Sequence, residues 1–151
     1  MALANILAAI QTVLLGISGI SHAYTYEPVS IQPGQVPTIM QVAGKIQYWT
    51  ITRDSTQEQR LANIETLRTH TIVLRGYQEV GDPAVTDPAF QALVESVQST
   101  LRPTYELGVA GATAEQFGPV SVTTVGHRVL AQTWLVHYAE CRIPVIERVT
   151  P

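Results

Sequence analysis

The sequence predicts an α+β fold, a mixed, mainly antiparallel β-sheet with long strands, two main helices packed on it and a C-terminal β-hairpin. Two segments carry apolar residues at intervals of three and four, the spacing of a helix that is buried on one side. Other long segments alternate in polarity and are rich in β-branched and aromatic residues, which is typical of strands. The chain of 151 residues can bury one hydrophobic core, so we expect one domain over residues 1–151.

The first twenty residues predict an amphipathic helix. Its apolar stripe consists of Leu3, Ile6, Leu7, Ile10, Val13, Leu14 and Ile17. Gly16 and Gly19 offer a stop for the helix. A signal peptide or a membrane anchor is the alternative, but no lysine or arginine precedes the apolar residues. We therefore expect the helix to face the core or a neighbouring subunit.

Short strands are expected after this helix. Residues 22–27 alternate as a strand with Tyr24 and Tyr26 on one face, and a proline-rich loop of about ten residues follows, up to Pro37. Residues 38–43 and 46–52 then predict a hairpin.

The polar segment 53–65 fits a short surface helix and an excursion loop equally well. Residues 66–80 return to alternating polarity and predict a second long strand. The next helix is expected to start with Asp87 as its N-cap and Pro88 at the first helical position, and to end at Pro103. Its apolar stripe is Phe90, Leu93, Val94, Val97 and Leu101.

The last forty residues predict a β-hairpin. After a flexible loop at 108–118, residues 120–125 form the first strand, residues 126–128 a short connection, and residues 129–143 one long strand without glycine or proline. Pro144 is expected to allow only an extended tail. At ~3.3 Å per residue the long strand would span roughly 50 Å, so it must bend, bulge or project towards a partner.

Composition limits the possible functions. Charged residues make up 14% of the chain, against about 25% in an ordinary globular domain, so much of the surface is expected to be covered. The net charge is −3 and the eight arginines are scattered, which argues against specific nucleic-acid binding. A lone cysteine, Cys141, excludes an internal disulfide framework and fits a reducing compartment.

The sequence predicts no catalytic residue, no cofactor and no metal. The glycines at 108–118 fit neither nucleotide-binding fingerprint, and no nucleophile motif surrounds a serine or Cys141. His127, His137 and Cys141 suggest a metal site, but His137 and Cys141 would lie roughly 13 Å apart along one strand, too far to share an ion.

Aromatic residues on short strands beside a proline-rich loop are common interface anchors, although core packing explains them equally well. From composition we select these candidate interface residues: Tyr24, Tyr26, Glu27, Tyr48, Trp49, Arg68 and Arg75.

The order of elements carries a family resemblance. An N-terminal amphipathic helix, the strand at Tyr24-Thr25-Tyr26-Glu27-Pro28 with its proline-rich loop, the long strand, the second helix and the final hairpin follow one another. In this layout the chain resembles the tail terminator proteins of long-tailed bacteriophages, both siphovirus-like and myovirus-like. The resemblance covers nearly the whole chain and brings no catalytic motif.

The resemblance implies a non-enzymatic virion protein of the tail or neck, assembled in the host cytoplasm and without contact to a membrane. Such a protein forms a hexameric ring that caps the tail tube, stops its elongation and joins the tail to the head connector. The implied partners are further copies of the chain, the tail tube protein and the head–tail connector or stopper protein, while DNA passes through the lumen without specific binding. The alternatives are another neck protein for tail completion or head closure, a small cytoplasmic ligand-binding or enzymatic α+β domain, and a subunit of a non-viral assembly.

Overall fold

The computed structural model of the chain describes residues 2–28, 40–42, 44–61, 65–101, 113–116, 120–130 and 134–149. Beyond position 28, the predicted proline-rich loop up to Pro37 lies outside these residues. The predicted helix stop at Pro103 and most of the predicted loop at 108–118 also lie outside them.

The described residues form two helices and seven strands. The helices are α1 (Ala2–Leu15) and α2 (Pro83–Thr100), and the strands are β1 (Ala23–Tyr24), β2 (Gln41–Val42), β3 (Lys45–Arg60), β4 (Thr66–Glu79), β5 (Thr113–Gln116), β6 (Ser121–Leu130) and β7 (Trp134–Val149). The sheet order is β1-β3-β4-β7, with β5 and β6 both pairing with β7 and β2 pairing with β3. Only β1 pairs in parallel, with β3. The predicted α+β class, its mainly antiparallel sheet and its C-terminal hairpin are confirmed.

Both helices contribute to one hydrophobic core with the sheet. The predicted stripes supply it, and α1 ends before Gly19, whose φ of 97° suits glycine. The fully buried members of this core include Ile6, Ile10, Leu14, Trp49, Ile51, Ile72, Leu74, Phe90, Val97, Leu101 and Cys141. We call this side of the sheet the helical face.

A second buried cluster lies on the opposite face of the sheet. Its members are Met40, Ile46, Tyr48, Tyr77, Val136 and Tyr138. The rings of Tyr48 and Tyr77 stack with centroids 4.5 Å apart, and Tyr138 packs against Tyr77 at 5.2 Å. The sheet therefore has apolar packing on both faces.

The polar segment 53–65 is neither a helix nor an excursion loop. Strand β3 continues through it to Arg60 and pairs with β4 from Ser55 opposite Thr71 to Arg60 opposite Thr66. A bulge at Asp54 shifts the register there. The prediction was wrong because the neighbouring strand satisfies this backbone while most of its side chains stay exposed, so local polarity carries little information.

Residues 129–143 are not one strand. Strand β6 ends at Leu130, β7 begins at Trp134, and these two residues pair across the turn. The predicted connection at 126–128 lies inside β6, and β7 continues through Pro144 to Val149 instead of ending in an unpaired tail. Pro144 lies between the part of β7 that pairs with β6 and the part that pairs with β5, where the ladder on that side is interrupted.

Three smaller boundaries also differ. Helix α2 begins one turn earlier than predicted, because the Asp82 side chain accepts a hydrogen bond from the Ala84 backbone N–H at 3.2 Å and Pro83 follows it, which leaves Pro88 inside the helix. The predicted loop at 108–118 contains β5, and the strand predicted at 22–27 is reduced to the two residues of β1.

Candidate functional site

Three predicted interface residues lie at one edge of the sheet, and a fourth, Arg75 on the central strand β4, reaches Glu27 with its side chain. The Tyr24 and Tyr26 ring centroids are 5.4 Å apart, and Tyr26 is 54% exposed. The Glu27 carboxylate accepts a hydrogen bond from the Thr50 hydroxyl at 2.8 Å and pairs with the Arg75 guanidinium at 3.3 Å. We call Tyr24, Tyr26, Glu27 and Arg75 the β1 edge; it combines an exposed aromatic ring with a partly exposed ion pair.

Two other predicted interface residues are buried inside the chain. Trp49 and Tyr48 are each 1% exposed and lie on opposite faces of the sheet. Trp49 packs on Gly76, whose missing side chain leaves room for the indole ring. Burial raises the pKa of the Tyr48 hydroxyl. Both side chains therefore serve core packing, the alternative that the sequence left open, and neither is accessible to a partner in this conformation.

The seventh predicted residue, Arg68, lies on the half of β4 remote from the β1 edge. Its guanidinium contacts the Glu58 carboxylate at 2.7 Å and the buried Glu147 carboxylate at 3.5 Å. Beside it, His70 is 3% exposed and bonds the Thr56 hydroxyl through Nδ1 at 2.8 Å. Burial lowers the pKa of His70, against the opposing effect of Glu147. Arg68 thus belongs to a polar cluster separate from the β1 edge.

An exposed apolar surface lies on the C-terminal hairpin. Of the seven large hydrophobic residues that are exposed in the described part of the chain, four are on β6 and β7: Val125, Val129, Trp134 and Leu135. Val129 is 63% exposed and pairs across the hairpin with Leu135, which is 49% exposed. We call Val125, Val129 and Leu135, which share one face of the hairpin, the hairpin patch; Trp134 pairs with Leu130 on the opposite face. The sequence placed Val125 at the end of one predicted strand and Val129 and Leu135 in the next, and the missed break at Leu130 concealed that they lie together at a surface.

The suspected metal ligands separate into two places. Cys141 is fully buried in the core, and burial raises the pKa of its thiol to about 12, so it is neither a ligand nor a ready nucleophile. The turn between β6 and β7 places His127 directly opposite His137, and Asp87 of α2 joins them. Asp87 was missed because the sequence explained it as a helix cap, and no spacing rule links it to residues forty positions later.

One cavity among the described residues is smaller than the usual small-molecule site. A cavity of about 230 Å³ lies between the β2–β3 hairpin and the end of β4, and binding pockets for drug-sized ligands usually measure about 300–1,000 Å³. Neither of the two described helices is long and apolar enough to span a bilayer.

Comparison with known proteins gives structural neighbours only. No family model matches the sequence, and no curated protein matches it. A chain from the virion of a native gene transfer agent particle shares the fold with 10% identity and a TM-score of 0.60, over 97% of this chain and 97% of that chain. A second solved structure matches at 11% identity with a TM-score of 0.61, over 100% of this chain and 99% of that chain. At these identities the likeness shows that the α+β fold is shared over nearly its full length.

Proposed function

We propose that this chain is a structural protein of a phage-like virion and that it acts as a tail terminator, forming a ring on the end of the tail tube. The observation that carries the proposal is the shared fold with a chain of a gene transfer agent virion, which covers 97% of both chains. Of the elements whose order resembles tail terminators, the two helices, the long strand at 66–79 and the final hairpin are present in the described residues, and the proline-rich loop lies outside them beyond position 28.

The positions of the exposed apolar residues support a head-to-tail ring. A ring of more than two identical subunits needs two different surfaces on each subunit, because one surface meets the other on the next copy. In the sheet order, β1 and β6 lie on opposite sides of the central strands β3, β4 and β7. The β1 edge and the hairpin patch therefore lie on opposite sides of the subunit, as a head-to-tail contact requires.

Backbone groups support the same arrangement. Beyond Thr50, which pairs with β1, the outer edge of β3 from Ile51 to Arg60 has no strand partner among the described residues, and neither has the outer edge of β6. Exposed strand edges pair readily with other chains unless they are covered. In the proposed ring, neighbouring subunits cover them.

The proposed ring caps the tube protein on one face and meets the head–tail connector or stopper protein on the other. The net charge of −3 supports a lumen through which DNA passes without being held, since binding to the DNA backbone depends on clustered lysine and arginine. In this role the protein belongs to the neck of the virion and acts without catalysis.

The first test is the native mass of the untagged chain by light scattering, with negative-stain imaging of the same peak and with purified tail tubes added in a second arm. The proposal predicts a particle near six times 16.5 kDa with a central hole, or a monomer that forms rings on the ends of tubes. A monomer that ignores tubes at every concentration contradicts it.

Single substitutions in the hairpin patch and in the β1 edge test whether these two surfaces meet in the ring. Leu135→Glu should block ring formation, whereas Leu15→Glu should not, although the two leucines are similarly exposed, at 49% and 46%. Tyr26→Glu should also block it. A mixture of Leu135→Glu and Tyr26→Glu chains retains one intact junction and should stop at heterodimers. Rings that survive both single substitutions would refute the assignment of the two surfaces, while the tube-capping role would still be judged by the first test.

A further inference from the structure

Three side chains from three elements converge at the start of α2. Asp87 lies in the second turn of that helix, His127 lies on β6, and His137 lies opposite His127 on β7. One ligand-type atom from each lies within 4.8 Å of the others. His127 and Asp87 are 45% and 51% exposed, and His137 is 1% exposed, so the cluster opens to solvent on one side only.

The distances match those between ligands of one small metal ion. The Asp87 Oδ1 atom lies 3.1 Å from His137 Nδ1 and 3.6 Å from His127 Nε2. Two ligands of a tetrahedral Zn²⁺ ion, each about 2.0–2.1 Å from the metal, are separated by about 3.3 Å. The two observed distances lie on either side of that value, and the two histidine nitrogens lie within 4.8 Å of each other, so the exposed His127 ring must move towards His137 by up to about 1.5 Å for both to bind one ion.

The buried histidine is fixed in the orientation that a metal ligand needs. Its Nε2 atom lies 2.8 Å from the Thr86 hydroxyl, and that hydroxyl donates to the Asp82 carbonyl oxygen at 3.1 Å. Phe90 stacks on the ring with centroids 5.4 Å apart. Metal-bound histidines commonly donate their second ring N–H to such an acceptor, which fixes the tautomer and the ring plane.

This hydrogen-bond direction determines what His137 presents to the cluster. When the Thr86 hydroxyl donates to the Asp82 carbonyl oxygen, it can only accept from His137. The His137 Nε2 atom then carries the imidazole proton, and Nδ1 presents a bare lone pair to the Asp87 carboxylate. Two acceptors 3.1 Å apart repel each other unless a proton or a metal ion lies between them. In the other tautomer of His137, Nδ1–H donates to Asp87 in a plain hydrogen bond that needs no metal ion. Metal titration distinguishes the two tautomers.

We propose that Asp87, His127 and His137 bind one divalent transition-metal ion of the Zn²⁺ type, with the remaining position open to water. Two imidazole nitrogens and one carboxylate oxygen are a ligand set that borderline metals accept, while Mg²⁺ and Ca²⁺ prefer oxygen alone. The ion joins α2 to both strands of the hairpin. It therefore holds the hairpin patch in place relative to the helix, whatever partner that patch has.

Metal titration of the untagged, metal-free chain tests the site. Zn²⁺ added in a calorimeter should bind with one ion per chain, and Co²⁺ should give the visible absorption band of a tetrahedral complex. Loss of an outer-shell partner alone typically weakens a metal site about 10–100-fold, so His127→Gln and Asp87→Asn should each weaken Zn²⁺ binding about tenfold or more. Both side chains are about half exposed, so these variants should fold.

The matched control is His22→Gln. The His22 ring contacts the Gln41 carbonyl oxygen at 2.9 Å, far along the chain from the cluster, and its loss should leave Zn²⁺ affinity unchanged. Thermal unfolding gives an independent readout, because an ion that binds only the folded state raises the melting temperature of the parent chain and not that of His127→Gln. The absence of stoichiometric Zn²⁺ binding, or binding that His127→Gln leaves unchanged, overturns the proposal in favour of the plain hydrogen bond.

Discussion

Placing a methyl group at Gly76 should force the central tryptophan out of position. A Cβ atom built at Gly76 would lie 2.4, 2.5 and 2.7 Å from three indole carbons of Trp49, the residue directly across the β3–β4 ladder. Carbon atoms in good contact are about 3.5–4.0 Å apart, so the indole must move by about 1 Å or more. Trp49 is 1% exposed beneath the helices and has little free space to move into.

Overpacking of this kind usually costs about 1–3 kcal/mol, and we expect Gly76→Ala to lower the free energy of unfolding by about 2 kcal/mol. For a chain of this size that corresponds to a fall in melting temperature of about 4–8 °C. Urea unfolding followed by circular dichroism measures the free energy directly. Gly126→Ala is the matched control, because Gly126 is also inside a strand and its Cβ would meet nothing within 4 Å.

A double-mutant cycle isolates the contact. In a Trp49→Leu background the smaller side chain leaves room for the methyl group, so the cost of Gly76→Ala should fall close to zero. If the substitution costs as much with Leu at position 49 as with Trp, or if Gly76→Ala is as harmless as Gly126→Ala, then the tryptophan does not pack on this glycine and the described core is incorrect.

Two further predictions concern buried titratable groups. The pKa of His70 should lie below the ordinary value of 6.5, because burial outweighs the attraction of Glu147 while Arg53 and Arg68 lower it further. Because this pKa is lower in the folded state, His70 contributes to stability above pH 6.5, and that contribution is lost as the pH falls through the folded-state pKa. NMR titration of the His70 ring should therefore give a midpoint under 6.5. A midpoint at or above 6.5 would contradict the burial of the ring. The Cys141 thiol, with its pKa raised to about 12, should resist a disulfide reagent at neutral pH in the folded chain and react promptly in urea; rapid reaction without denaturant would show that the core opens.

The parts of the fold that sequence predicts are those specified by local periodicity. Helix α1 and the stripe from Phe90 to Leu101 repeat at the helical interval, and the burial of these stripes follows from it. The turn after Leu130 was missed because hairpin turns are recognised by glycine, asparagine or proline, and residues 129–143 contain none. The extension of β3 to Arg60 was missed because the hydrogen bonds of β4, a partner in space, make it a strand.

The candidate sites show the same division. Glu27 and Arg75 were predicted separately from composition, and only the pairing of β1, β3 and β4 places them 3.3 Å apart. The cluster of Asp87, His127 and His137 depends on two features that sequence patterns did not reveal, the hairpin turn and the packing of α2 over the hairpin. Sequence thus supplied the residue types, while the contacts depend on tertiary pairing.

The uneven placement of charge indicates which surfaces assembly should cover. Several ion pairs lie on the half of the sheet that contains the second half of β3, where Arg142 contacts Asp54 at 2.7 Å and Arg68 contacts Glu58 at the same distance. Exposed pairs of this kind contribute little stability, about 0–1 kcal/mol each, so their main effect is to keep that half soluble. The hairpin patch contains no charged residue, and its Val129 side chain is 63% exposed. Burying an exposed valine or leucine side chain is worth about 1.5–3 kcal/mol, so in the proposed ring the hairpin patch would contribute apolar burial, while the uncovered β3 edge of the charged half would contribute backbone hydrogen bonds.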